Sequence, residues 1–122
     1  MSCTKEYVVE IPIKMPSLNE YIQKCRYNKY AGNYMKQQVQ SQIAPYLIDL
    51  PELNKVVIEF MWIEGNKRRD LDNICFGKKF ILDTLVNLGK LKDDNRNNVY
   101  GFTDTFAYGK EWKVILNIKE VE

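Results

Sequence analysis

A chain of 122 residues with 45% hydrophobic and 28% charged residues carries enough apolar material for one core and not for two, which excludes wholesale disorder, a fibrous repeat and a two-domain enzyme. It contains no histidine, so Ser-His-Asp and Cys-His catalysis, an imidazole base and a histidine-ligated zinc site are all excluded. The net charge of +2 does not by itself announce a nucleic-acid binder.

The first predicted element is a strand over Tyr7–Ile13, β-branched and closed by Pro12. Pro16-Ser17-Leu18-Asn19 has turn chemistry, and Asn33 to Ala44 carries helix formers up to Pro45, which marks an end or a kink. A second strand is predicted over Lys55–Ile63, broken by Gly65-Asn66. Leu71, Ile74, Ile81, Leu82, Leu85 and Leu88 then fall at helical spacing, predicting one helix from Leu71 to Leu88 with Gly89 as its stop. Two strands follow, Asn98–Ala107 and Trp112–Ile118, with Tyr108-Gly109-Lys110-Glu111 expected as a hairpin loop. The order β-α-β-α-β-β predicts an α/β (α+β) fold, a single domain over 1–122 with a mixed sheet of about four strands and two main helices packed on it.

Cys3, Cys25 and Cys75 form no CxxC pair and are expected as free packing thiols of a reducing compartment. No run approaches membrane-spanning length and Met1–Tyr7 has no apolar signal core, so the expectation is a soluble, cytoplasmic protein with no membrane partner.

The modest net charge hides a segregation. Residues 14–36 carry Lys14, Lys24, Arg26, Lys29 and Lys36 against Glu20 alone, and residues 65–79 carry Lys67, Arg68, Arg69, Lys78 and Lys79 against Asp70 and Asp72. Brought to one face, these two segments could hold a phosphate backbone. The first is interleaved with Tyr21, Tyr27, Tyr30 and Tyr34. These are either stacking partners for unpaired bases or cover for a sheet edge among solubilising lysines.

Lys67-Arg68-Arg69-Asp70-Leu71-Asp72-Asn73 is the most informative stretch. Two aspartates just before a helix can present both carboxylates to one Mg²⁺, which needs only one or two protein carboxylates beside waters and substrate phosphates. Water on such a metal has a lowered pKa and attacks phosphorus without histidine. The competing reading is a helix cap and an exposed neighbour after a basic turn. Asp93-Asp94 is either a polar turn or a further acid, returned by the loop or supplied by a partner subunit. On a continuous helix of about 100° per residue, Asp72, Lys79 and Asp83 share a face. Lys79 then either pairs with Asp83 (i, i+4) or stabilises charge on a phosphorane-like transition state. Lys78 falls in the apolar stripe, must snorkel or find an acid, and is a rival candidate. Phe76 and Phe80, four residues apart, are an interface or pack under a loop.

Taken in order, Pro16-Ser17-Leu18-Asn19-x-Tyr21, Arg26, Arg68-Arg69-Asp70-Leu71-Asp72-Asn73, Lys78-Lys79-Phe80-Ile81-Leu82-Asp83-x-Leu85 and Gly89-x-Leu91-x-Asp93-Asp94 resemble the RusA family of Holliday junction resolvases over nearly the whole chain. The resemblance implies a small α/β homodimer, of a kind typical of phages and prophages, that binds four-way DNA junctions. It implies resolution by paired symmetric nicks with Mg²⁺, or Mn²⁺ in its place, and no nucleotide cofactor. By motif, the metal-binding and catalytic carboxylates would be Asp70, Asp72 and Asp94, and the catalytic lysine Lys79, with Lys78 the alternative. Asn19, Arg26, Lys67, Arg68, Arg69 and Lys78 would contact DNA. Two readings of another class stand beside this one. In the first the chain is a non-catalytic, structure-selective DNA-binding protein of the same fold; in the second it is an interaction protein whose aspartates are caps and turns.

Overall fold

The computed structural model describes residues 3–121, with side chains from residue 5 onward, so the Cys3 side chain lies outside the described residues. Eight elements follow one another: β1 (Cys3–Ile11), α1 (Leu18–Tyr27), α2 (Ala31–Leu47), β2 (Val56–Glu64), α3 (Leu71–Cys75), α4 (Lys78–Asn87), β3 (Val99–Tyr108) and β4 (Lys113–Val121). The fold is α+β, a four-stranded mixed sheet in the order β1-β4-β2-β3, with β2 and β3 parallel and β4 antiparallel to both its neighbours.

Alternation builds one buried sheet face. Val56, Ile58, Phe60, Trp62 and Glu64 point inward from β2, joined by Val114, Leu116 and Ile118 of β4. The helices supply Val39, Ile43 and Leu47 from α2 and Phe80, Ile81, Leu82 and Leu85 from α4. Each large side chain fully buried here contributes about 1.5–3 kcal/mol. No described helix is long and apolar enough to cross a membrane.

Three expectations are corrected. The sequence between β3 and β4 is not a hairpin loop, because β2 lies between the two strands. The loop passes the end of β2, where the Gly109 N–H donates to the Glu64 carbonyl at 3.1 Å, and β4 takes an interior position that buries its Val-x-Leu-x-Ile face. The helix expected over 71–88 is two helices. At the junction the Gly77 N–H bonds Ile74 O and the Phe80 N–H bonds Gly77 O, three-residue spacings that tighten the chain. A Cβ on Gly77 would stand 2.9 Å from Met15 Cβ and 3.1 Å from the Trp62 ring, so the break lets the backbone press onto the core. Third, residues 18–27 form a helix where only a turn was expected. Ser17 Oγ accepts from the Glu20 N–H (3.1 Å) and Glu20 Oε1 accepts from the Ser17 N–H (3.3 Å), a capping box. Pro45 neither ends nor precedes a break in α2, which runs on to Leu47. Gly89 does stop α4, with φ +73°.

Candidate metal and nucleic-acid site

The site is assembled where β2 ends. Glu64, the last residue of β2, is buried and takes a two-point grip on Arg69, with Nε 2.8 Å from Oε1 and Nη2 2.9 Å from Oε2. Arg69 Nη1 also donates to the Met15 carbonyl at 2.7 Å, and its side chain is only 13% exposed. The ring of Trp112 lies 5.3 Å from the guanidinium. Arg69, expected at a phosphate, is therefore turned into the protein, where it clamps the loop that carries the acids. Arg68 and Lys67 stay exposed, with Lys67 Nζ 4.7 Å above the Tyr108 ring.

Asp70 occupies the N-cap position of α3, yet its side chain makes no capping hydrogen bond. Asp72 is exposed in the first turn. The simple alternative for this pair, a carboxylate spent on backbone N–H groups, is thus not realised at Asp70. Asn73, next in the motif, accepts from the Asn19 N–H at 3.2 Å and so ties α1 to the acid loop.

Asp72 lines a groove of about 480 Å³ together with Leu18, Tyr21, Lys36, Lys78 and Lys79. A second hollow, lined by Lys36, Lys79, Asp83, Asp93 and Asp94, shares its two lysines with the first. The break at Gly77 removes the continuous-helix argument for placing Asp72 and Lys79 on one face; the groove brings them together all the same. The two basic segments also meet here, Lys36 from the first and Lys78 and Lys79 from the second.

Within that wall of cations, Lys36 Nζ lies 2.8 Å from Asp83 Oδ2, Lys79 Nζ 3.1 Å from Asp83 Oδ1 and 3.5 Å from Asp94 Oδ2. The loop after α4 thus returns Asp94 to Lys79 within one chain. Asp93 has a different use: it accepts from the Asp94 N–H (2.8 Å) and from Asn95 Nδ2 (3.2 Å), a turn residue that leaves Asp94 to face the lysine. Pairing with Asp83 first, and with Asp94 second, holds the Lys79 ammonium above the usual lysine range. Burial would raise the pKa of Asp83, but the two lysines outweigh it and hold the carboxyl below the ordinary value.

Lys78 finds the acid its position demands. Its Nζ is 2.5 Å from Asp104 Oδ2, whose other oxygen accepts from Trp62 Nε1 at 2.9 Å, and it lies 4.9 Å from the Phe102 ring. Phe76 and Phe80 pack under α1, with Tyr21 5.5 Å from the first ring and 5.9 Å from the second. Arg26 is exposed in the last turn of α1, and Asn19 is exposed in its first. Cys25 and Cys75 are free thiols, Cys25 exposed; burial raises the pKa of Cys75.

In the sequence Lys36 is legible only as charge. Its place beside Asp83 depends on how α2 crosses α4, which no local pattern encodes. Among the described residues no three His, Cys, Asp or Glu side chains are gathered into a ready cage. The donor set nevertheless fits a hard divalent cation, which takes oxygen ligands and needs only one or two protein carboxylates. Asp70 and Asp72 offer these within one turn, uncommitted, beside cations suited to phosphate. In comparisons with known proteins, the chain matches no family model and no curated protein.

Proposed function

We propose that this protein is a metal-dependent endodeoxyribonuclease that binds four-way DNA junctions and resolves them by paired symmetric nicks. The observation that carries the reading is the grouping of Asp72, Lys79 and Lys36 on one groove, with Asp94 held against Lys79. The ordered motifs from Asn19 to Asp94, similar to those of RusA-type resolvases, supply the substrate class.

Asp70 and Asp72 would hold Mg²⁺ or Mn²⁺, and Asp94, set against Lys79 in this structure, would have to turn toward them to join as a ligand. Bound there, such a cation supplies an activated water and neutralises charge on the leaving oxygen. The rest falls to the chain itself. Lys79, kept protonated by Asp83, serves as a fixed positive charge and not as a proton carrier, and it stabilises negative charge building on the scissile phosphate. Lys36 adds a second positive charge to the same wall. Lys67 and Arg68 hold the backbone beyond the cut, and Arg69 keeps the Asp70–Asp72 loop in place through Glu64. Two identical subunits match the pseudo-symmetry of a four-way junction.

The test is a nicking assay on a synthetic four-way junction beside a linear duplex of the same sequence, with and without a chelator. Symmetric nicks on the junction alone, abolished by the chelator, are expected. Asp72→Asn lowers nicking more than about a hundredfold, beyond the range for an outer-shell change, and leaves junction binding in place. Tight, salt-sensitive binding without nicking in either metal would instead identify a non-catalytic junction binder. Wild-type cutting by the variant would make the site assignment wrong.

A further inference from the structure

Tyr27, Tyr30 and Tyr34 are 82%, 69% and 64% exposed, and they belong to helical segments and cover no sheet edge. They stand at the corner where α1 ends and α2 begins. Tyr30 and Tyr34 share a helical face, since the Tyr34 N–H bonds the Tyr30 carbonyl at 2.9 Å. Tyr27 is three residues before Tyr30, within about 11 Å along the chain. Exposed aromatic area of this size in a helical corner contributes nothing to the core; α1 buries no residue completely.

The corner is also electropositive and stiff. Lys24, Arg26 and Lys29 are interleaved with the tyrosines along the chain, and none of the three has an ion-pair partner among the described residues. Lys29 Nζ lies 5.1 Å from the Tyr30 ring. Asn28 Oδ1 accepts from the Tyr30 and Ala31 N–H groups, both at 2.9 Å. A Cβ on Gly32 would fall 2.5 Å from Cys25 Sγ, so this glycine lets the two helices touch. Exposed rings on a corner tied by these contacts, with cations interleaved in the chain, match a chain of unstacked bases joined by phosphates.

Position relates the corner to the acids. The first turn of α1 is bonded to Asn73 and lines the groove with Asp72; its ten residues lead away over about 15 Å to Tyr27, while Tyr34 on α2 stands two residues before Lys36, which lines the same groove. Measured along a stacked strand, at about 3.4 Å per nucleotide, Tyr27 is roughly four nucleotides from that turn. We infer that Tyr27, Tyr30 and Tyr34 form a stacking platform for unpaired nucleotides of DNA, which places the opened bases of a branch point a fixed distance from Asp70 and Asp72. Paired bases hide their faces in the stack, so the platform selects distorted DNA over linear duplex. The inference rests on the nuclease reading only for its distance to the cut.

The experiment measures binding of the full chain in chelator to a single-stranded oligonucleotide, a four-way junction and a linear duplex. 2-Aminopurine is placed in the single strand and at the junction centre. Wild-type protein is expected to quench 2-aminopurine in both. Each Tyr→Ala change weakens single-strand binding about five- to hundredfold, leaves duplex binding and the salt slope unchanged, and loses quenching. Tyr→Phe variants, which keep the ring, retain both. An Arg26→Ala/Lys29→Ala variant lowers the salt slope for all three DNAs instead. Unchanged single-strand affinity and quenching in the three alanine variants overturns the inference, as does an equal loss on linear duplex. Nicking assays on the same proteins separate the two readings. Quenching without nicking by wild type refutes the nuclease alone; junction nicking with no quenching refutes the platform alone.

Discussion

Asp83 receives two lysines from two different helices, and through it the state of Lys79 is decided. With Lys36 at 2.8 Å and Lys79 at 3.1 Å, its side chain is only 14% exposed, so neither lysine gives up its partner cheaply. In the proposed reaction Asp83 acts through Lys79, which it positions and keeps charged. Asp83→Asn should lower nicking about 10–100-fold, the usual size of a supporting-residue effect, with the loss in kcat and little change in junction affinity. The stability effect has a definite sign. The folded-state pKa of Asp83 is depressed, so its contribution is complete above the unfolded value of about 3.9 and is lost as pH falls through the folded value. Urea titrations of wild type and Asp83→Asn should show a gap at pH 7 that closes on acidification below about pH 4; a gap constant down to pH 3 would contradict the ion-pair account.

Gly77 and the Arg69–Glu64 grip set where the acids stand relative to the sheet. Gly77→Ala drives a methyl to 2.9 Å from Met15 Cβ and 3.1 Å from Trp62, both side chains being fully buried. The substitution should cost about 1–3 kcal/mol, as overpacking does, read as a lowered midpoint in a denaturant titration. It should also reduce nicking by displacing Lys79, two residues on. A variant as stable as wild type would show that the α3–α4 junction is not packing-limited. The apolar residues from Leu71 to Leu88 are legible in the sequence as a core-facing stripe, and they are buried as expected at Ile74, Ile81, Leu82 and Leu85, but Leu71, expected to open the stripe, is 55% exposed. The break between Phe76 and Gly77 was not legible, because its cause is the approach of Met15 and Trp62 from distant parts of the chain. Ser17 and Glu20 did announce α1 by their spacing. The signal was masked by Pro16 and Asn19, and by a helix with no fully buried residue to give it a stripe. Local chemistry likewise described Tyr108–Glu111 as a hairpin; only the competition among strands for the interior place, won by Val114, Leu116 and Ile118, separates β3 from β4. Asp70, Asp72 and the lysines were legible as types in a pattern, whereas the identity of Lys79's partners required the fold.

On the scale of the molecule, charge is arranged against itself. Residues 14–36 and 65–79 together hold ten of the 18 Lys and Arg residues, and they meet at the groove that Asp72 also lines. In the proposed complex, phosphates drawn to those lysines approach uncommitted carboxylates at the same spot. A unit charge at about 6 Å in the dielectric of a protein surface costs roughly 1–3 kcal/mol, and a divalent cation on Asp70 and Asp72 cancels that repulsion. Junction binding by wild type should accordingly strengthen about tenfold in Mg²⁺ over chelator at matched ionic strength, the opposite of the weakening that added salt produces by screening and counterion release. An Asp70→Asn/Asp72→Asn protein, already relieved of the repulsion, should bind in chelator about as tightly as wild type does in Mg²⁺ and gain nothing from the metal. Fluorescence anisotropy with a labelled junction, read before appreciable nicking, decides between these outcomes. Were the double variant to gain as much as wild type, the metal would be acting on the DNA and not on these two carboxylates.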